Sequence, residues 1–139
     1  MALNTEFSRQ VLVNPVLAIN AAASPLVKTT VPFASFVSGQ VVLKAAGALP
    51  ALTGTIANGF TSSYAFFMDA LGVVTVSQGN SVANTSTLSF SDLPKATGNV
   101  CIGLVIVVNA TGALFTGGTT ALDTGSLTTY YTTFPVSGL

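Results

Sequence analysis

The sequence predicts an all-β protein, an antiparallel β-sandwich of jelly-roll-like type with an extended N-terminal arm. Three observations lead there. Short runs rich in Val, Thr, Tyr and Phe recur from residue 60 onward, each closed by Gly, Asn, Asp or Pro. No convincing helical periodicity interrupts them. The residues before about 36 read differently, with Pro15, Pro25 and Pro32 and an alanine patch at Ala21 to Ala23. The expected division is therefore an arm over 1–35 and a β-sandwich domain over 36–139.

Taken in order, the arm comes first. Each proline removes a backbone donor and pushes its preceding residue toward extended conformations. The segment nevertheless carries Phe7, Val11, Leu12, Val13, Val16, Leu17 and Ile19, followed by Leu26 and Val27. That much exposed apolar area on a free arm is a liability in solution. The preferred reading lays it over another subunit and makes Phe7, Val11, Leu12, Val13, Val16, Leu17 and Ile19 the assembly interface. The competing reading is an edge strand and loops on the arm's own domain.

Val41 to Ile56 is a second apolar segment, broken by Lys44, Gly47 and Pro50, and reads as a strand followed by a long loop. Thr61 to Met68 is a strand of aromatic and hydroxyl residues, and Asp69-Ala70-Leu71-Gly72 is its turn. Val73 to Gln78 is β-branched and stops at Gly79-Asn80. Thr85 to Phe90 alternates polar and apolar, which predicts a strand with one wet face. Ser91 to Asn99, with Pro94 and Gly98, is loop. Val100 to Val108 is apolar on both faces and is predicted to be central. Asn109 to Gly112 turns the chain, Ala113 to Thr116 is a short strand, and Leu127 to Phe134 closes the set. About seven or eight strands suit a sandwich.

Half of the 139 residues are hydrophobic, against four basic and four acidic residues that cancel. An ordinary soluble domain carries roughly 25% charge. So sparse a charge leaves little repulsion between copies, which suits a surface covered by neighbours. Disorder is excluded, since disordered chains are apolar-poor and charge-rich. No apolar run approaches the roughly 20 residues of a spanning helix, and the opening MALNTEFSRQ lacks the pattern of a secretory signal. No membrane role is expected. The scattered Lys and Arg do not form a phosphate-binding cluster, so no direct nucleic-acid partner is expected either.

The chain has no histidine, which removes the commonest general base and transition-metal ligand. Asp69, Asp92 and Asp123 each sit in a turn context, and Glu6 lies near the N-terminus. The single cysteine, Cys101, falls inside a strand pattern and reads as a small buried hydrophobe. Gly112 to Gly118 lacks the Lys-Ser/Thr ending of a phosphate loop. Asn84-Thr85-Ser86 and Asn109-Ala110-Thr111 match the glycosylation pattern by chance. Tyr64, Phe66, Phe67, Tyr130 and Tyr131 fit a sandwich core better than sugar stacking. No catalytic, cofactor or metal residues are expected, and the chain is read as not an enzyme.

Met-Asp-Ala-Leu-Gly-Val-Val-Thr-Val-Ser-Gln-Gly at 68–79 is followed by Asn-Val-Cys-Ile-Gly-Leu-Val-Ile-Val-Val-Asn at 99–109. Phe-Thr-Gly-Gly-Thr-Thr-Ala-Leu-Asp at 115–123 and Leu-Thr-Thr-Tyr-Tyr at 127–131 complete the series. Over residues 61–135 this order resembles a β-module of tailed-bacteriophage virion structural proteins, while residues 1–35 do not match it. The resemblance implies a protein made in the host cytoplasm and carried on the capsid exterior, with no catalytic residues to carry over. Its expected function is capsid cement or decoration, bound as a homotrimer to the major capsid protein at three-fold positions. The alternatives are a tail, head-fibre or adaptor protein, and a carbohydrate-binding module for host attachment.

Overall fold

A computed structural model of the chain describes residues 9–95 and 99–132. In chain order the strands are β1 (Arg9–Val13), β2 (Leu17–Ile19), β3 (Val27–Thr29), β4 (Phe33–Val37) and β5 (Gln40–Lys44). There follow β6 (Gly47–Ala48), β7 (Thr55–Ile56), β8 (Phe60–Met68), β9 (Val74–Gln78) and β10 (Val82–Ala83). The last are β11 (Val100–Asn109), β12 (Phe115–Thr116) and β13 (Leu127–Tyr131). The described residues contain no α-helix, only a short 3-10 turn at Phe90–Asp92. The fold is all-β, and every strand pairing among the described residues is antiparallel.

The largest sheet is built around β8 and β11, the two longest strands. β11 lies between β8 and β13, and β9 and β10 share the opposite side of β8. Both central strands are buried on both faces, so Val100 onward is indeed a central strand. Tyr64, Phe66 and Met68 of β8 point into the main core, and Ala65 and Phe67 into a second cluster with Cys101 and Leu104. A bulge between Cys101 and Gly103 shifts the register of β11. Its extra residue lets Val100 and Ile102 before it, and Val105 and Val107 after it, all face the main core.

A second, three-stranded sheet, ordered β1-β4-β5, packs over β11 through β1 and β4. Its inward residues Val11, Phe33 and Val37 join the main core, and this face-to-face arrangement is the sandwich. Two smaller sheets, β2-β3-β6 and β7-β12, close the margins. Leu17 of β2 sits directly against Gly103, where any Cβ would collide with it.

The 1–35 arm needs correcting over the part that is described. From Arg9 onward the segment is woven into the domain: β1 pairs with β4, β2 with β3, and Val11, Leu17, Val27 and Phe33 are core residues. The boundary near residue 35 falls inside β4. The prolines sit between strands rather than within them, so short strands and proline coexist. Thr85 to Phe90 also differs from expectation and is not a strand. Asn84 instead donates its backbone N–H to Gly59 O, Ser86 turns back on Ala83 O, and Ser89 and Asp92 form a reciprocal cap around the 3-10 turn.

Candidate functional site

The outer face of the β1-β4-β5 sheet stands out chemically. Strand alternation puts Phe33, Ser35 and Val37 inward, which leaves Ala34 and Phe36 on the outside. The register then sets Val13, Ala34 and Leu43 in one row and Gln10, Phe36 and Val41 in the next. Leu43 is 78% exposed, Val41 58% and Val13 49%. Leu12, the bulged residue of β1, adds a further exposed side chain. These rows contain no charged residue. At the end of the sheet, Val13, Pro32, Phe33, Leu43, Lys44 and Ala45 line an open trough of about 420 Å³.

The one charge on β5 lies at this trough, outside the rows of Val41 and Leu43. Lys44 shares parity with Val42, which packs against the core, and its Nζ donates to Gly72 O at 2.8 Å beneath the sheet. Gly72 holds a φ of 80° in the turn that receives this bond, a conformation open to glycine. Asp69 fixes the turn by accepting from the backbone N–H of Leu71 and of Val73, each at 2.9 Å. Leu71 and Val73 are thereby left exposed beside β5.

The residues expected to form the interface divide. Val11 and Leu17 are core, and Ile19 packs against it. Val16 is half-buried at a φ of 51°, held there by a bond from its N–H to Asn14 Oδ1 and by Thr30 on its carbonyl. Leu12 and Val13 reach the surface, and Phe7 lies outside the described residues. Reading the sequence missed Val41, Leu43 and Phe36. The available signal was Ser38-Gly39 between two apolar runs, both residues at positive φ, which is a two-residue hairpin turn. Nothing in Gln-Val-Val-Leu-Lys says which parity faces in, because the lysine takes the inward side.

The acids hold loops. Asp92 Oδ2 accepts from Ser89 N–H at 2.9 Å and from Ser89 Oγ at 2.8 Å. These bonds, together with Asn80, hold its carboxyl below the usual range. Asp123 Oδ2 accepts from Ala23 N–H at 2.9 Å and ties two distant loops. Burial pushes the Cys101 thiol up to about 11, and burial raises the Tyr64 hydroxyl as well. Tyr131 is raised first by burial and then by Asp123. Tyr64, Phe66 and Phe67 are completely enclosed, while Tyr130 is exposed. Asn109 of the second glycosylation pattern is also enclosed, both its amide hydrogens given to Ile56 O and Ala113 O.

Among the described residues no helix is long and apolar enough to cross a membrane. Nor do three or more Cys, Asp or Glu among them gather where a metal ion would fit. No protein-family model, curated protein or solved structure matches the chain.

Proposed function

We propose that this protein is a structural component of a virion, a cement or decoration protein on the outer surface of a capsid. The observation that carries the reading is the uncharged apolar face of the β1-β4-β5 sheet, exposed at Val13, Val41 and Leu43 in a chain with only eight charged side chains, four of each sign. Apolar surface of this kind is stabilised by being covered. A shell of repeating subunits offers many equivalent places to cover it, and attachment at several points raises the effective affinity without any strong single contact.

The partners in this reading are the major capsid protein and further copies of the chain, arranged as trimers at three-fold positions. The role asks for no catalysis, and the described acids are engaged as loop clips. A sugar-binding role draws less support, since of Tyr64, Phe66, Phe67, Tyr130 and Tyr131 only Tyr130 is exposed, and a single ring makes no stacking platform. The test is co-sedimentation of the purified protein with undecorated capsids, followed by cryo-EM of the decorated particle. Density spread over the whole shell supports cement. Density confined to one vertex replaces it with a tail or fibre role, and no binding removes the proposal.

A further inference from the structure

We propose that a second copy of this chain docks along the free edge of β5, as a two-fold antiparallel strand pair centred on Val42. The inference goes beyond the capsid reading and does not depend on it.

Among the described residues β5 pairs only with β4, and none of them pairs with its other edge. Sheet edges in native proteins are normally blunted by a charge, a proline or a bulge. The other edge of this sheet follows that rule, since β1 carries a bulge between Val11 and Val13. β5 carries one of these devices, the inward-pointing Lys44, and only at its last position. Its register with β4 runs unbroken from Phe33↔Lys44 to Val37↔Gln40, it holds no proline, and Lys44 is tied down to Gly72 O.

The bonding pattern fixes which residues offer themselves. The two-residue turn at Ser38-Gly39 makes Val37 and Gln40 the hydrogen-bonded closing pair. Bonding then alternates along the hairpin, so Val42 and Lys44 bond toward β4. The backbone N–H and C=O of Val41 and Leu43 therefore point away from it, along the open edge.

The pattern is also self-complementary, which is why the occupant is a second copy. A two-fold axis at Val42 sets Val41 of one copy opposite Leu43 of the other, so the outward-pointing groups meet as hydrogen-bonded pairs. On the outer face the two Val41 and two Leu43 side chains join into one apolar cluster of cross-strand neighbours. Lys44 falls opposite Gln40, so no like charges meet. The contact is isologous. It joins neighbouring units rather than closing a three-fold ring.

The experiment uses the full chain in isolation. Sedimentation velocity over a wide concentration range is expected to show a monomer–dimer equilibrium. Val41→Pro removes only an outward N–H, so it is expected to keep the melting temperature while weakening dimerisation at least about tenfold, since a proline is tolerated where the N–H faces solvent. Register is read by cysteine pairing. Val41→Cys and Leu43→Cys proteins are expected to form a disulfide-linked dimer when mixed under oxidation, and neither is expected to do so alone. A wild-type chain that stays monomeric throughout overturns the proposal, as does a folded Val41→Pro protein that dimerises normally. Should Val41→Pro not fold, the cysteine experiment decides: equal crosslinking of mixed and unmixed proteins refutes the pairing. Capsid co-sedimentation is scored separately, so a failure of either proposal is distinguishable from failure of the other.

Discussion

Replacing Asn109 by alanine should be among the most damaging polar substitutions in the molecule. The side chain is wholly enclosed at the end of β11. Its Nδ2 donates to Ile56 O at 2.9 Å and to Ala113 O at 2.8 Å. Its Oδ1 accepts from Thr111 N–H at 3.2 Å and from Thr111 Oγ1 at 2.8 Å. One residue thus binds β7, the end of β11 and the following loop. Truncation strips the buried Ile56 O of its Asn109 donor, at roughly 1–3 kcal/mol, while Ala113 O keeps a bond from Thr111 Oγ1 at 3.3 Å and Thr111 is near enough to solvent to recover most of its loss. A total of about 2 kcal/mol is expected, a large share of the roughly 5–15 kcal/mol that holds a domain together. With a urea slope of about 2 kcal/mol/M, the unfolding midpoint should fall by about 1 M. Asn84→Ala is the comparison: its Nδ2 also donates, to Asn109 O, but from an exposed side chain, so its cost should be well under half. A midpoint for Asn109→Ala within about 0.3 M of wild type would refute the reasoning.

Three further outcomes are expected. Gly103→Ala forces a methyl group into Leu17 and should cost about 1–3 kcal/mol. Combined with Leu17→Ala it should cost less than the sum of the single changes, and denaturant melts of the four proteins read the coupling. Cys101, with its thiol raised to about 11, should resist a thiol reagent at pH 8 until the chain is unfolded. Because the folded value lies above the ordinary one, the native state holds the proton more tightly. The thiol's contribution to stability is therefore full below about pH 8.5 and lost as the pH climbs toward 11, seen as a falling melting temperature against a Cys101→Ala control. Deleting residues 1–35 removes Val11, Leu17, Val27 and Phe33 from the core and should give insoluble protein, whereas a soluble, β-rich truncation would show those strands to be dispensable.

What was legible in the sequence follows the length of its signals. β8 and β11 are long enough that their apolar runs outweigh any local ambiguity, and the Asp69–Gly72 turn carries both an aspartate and a positive-φ glycine. The N-terminal part was misjudged because β1, β2 and β3 are short and separated by proline, and the hairpin of β2 and β3 is held by partners further on, as β1 pairs with β4 and β3 with β6. Pairing across such distances leaves no local periodicity. Val16 and Ala23 adopt left-handed φ values of 51° and 57°, which no residue preference announces. Thr85 to Phe90 shows the opposite failure: its alternation is genuine, but Ser89 and Asp92 satisfy each other locally and no neighbouring strand claims the backbone. The exposed face was missed for want of one bit of information, the parity of β5, which depends on a lysine bonding a carbonyl on a distant turn.

The order in which the chain leaves the ribosome conflicts with the order of the sheet. β8 is complete by Met68, yet the strand that covers its whole length, β11, begins only at Val100, and Leu17 waits for Gly103 to complete its packing. Until then the β11 side of β8 stays unpaired and Phe67 lacks Cys101 and Leu104, its later core neighbours, while few charges nearby keep nascent chains apart. Non-local β pairing of this kind is slow. Yield in the cell will therefore depend on elongation speed and chaperone supply more than on final stability, and synonymous codons that slow translation between Gly79 and Asn99 will lower the soluble fraction without altering one atom of the product.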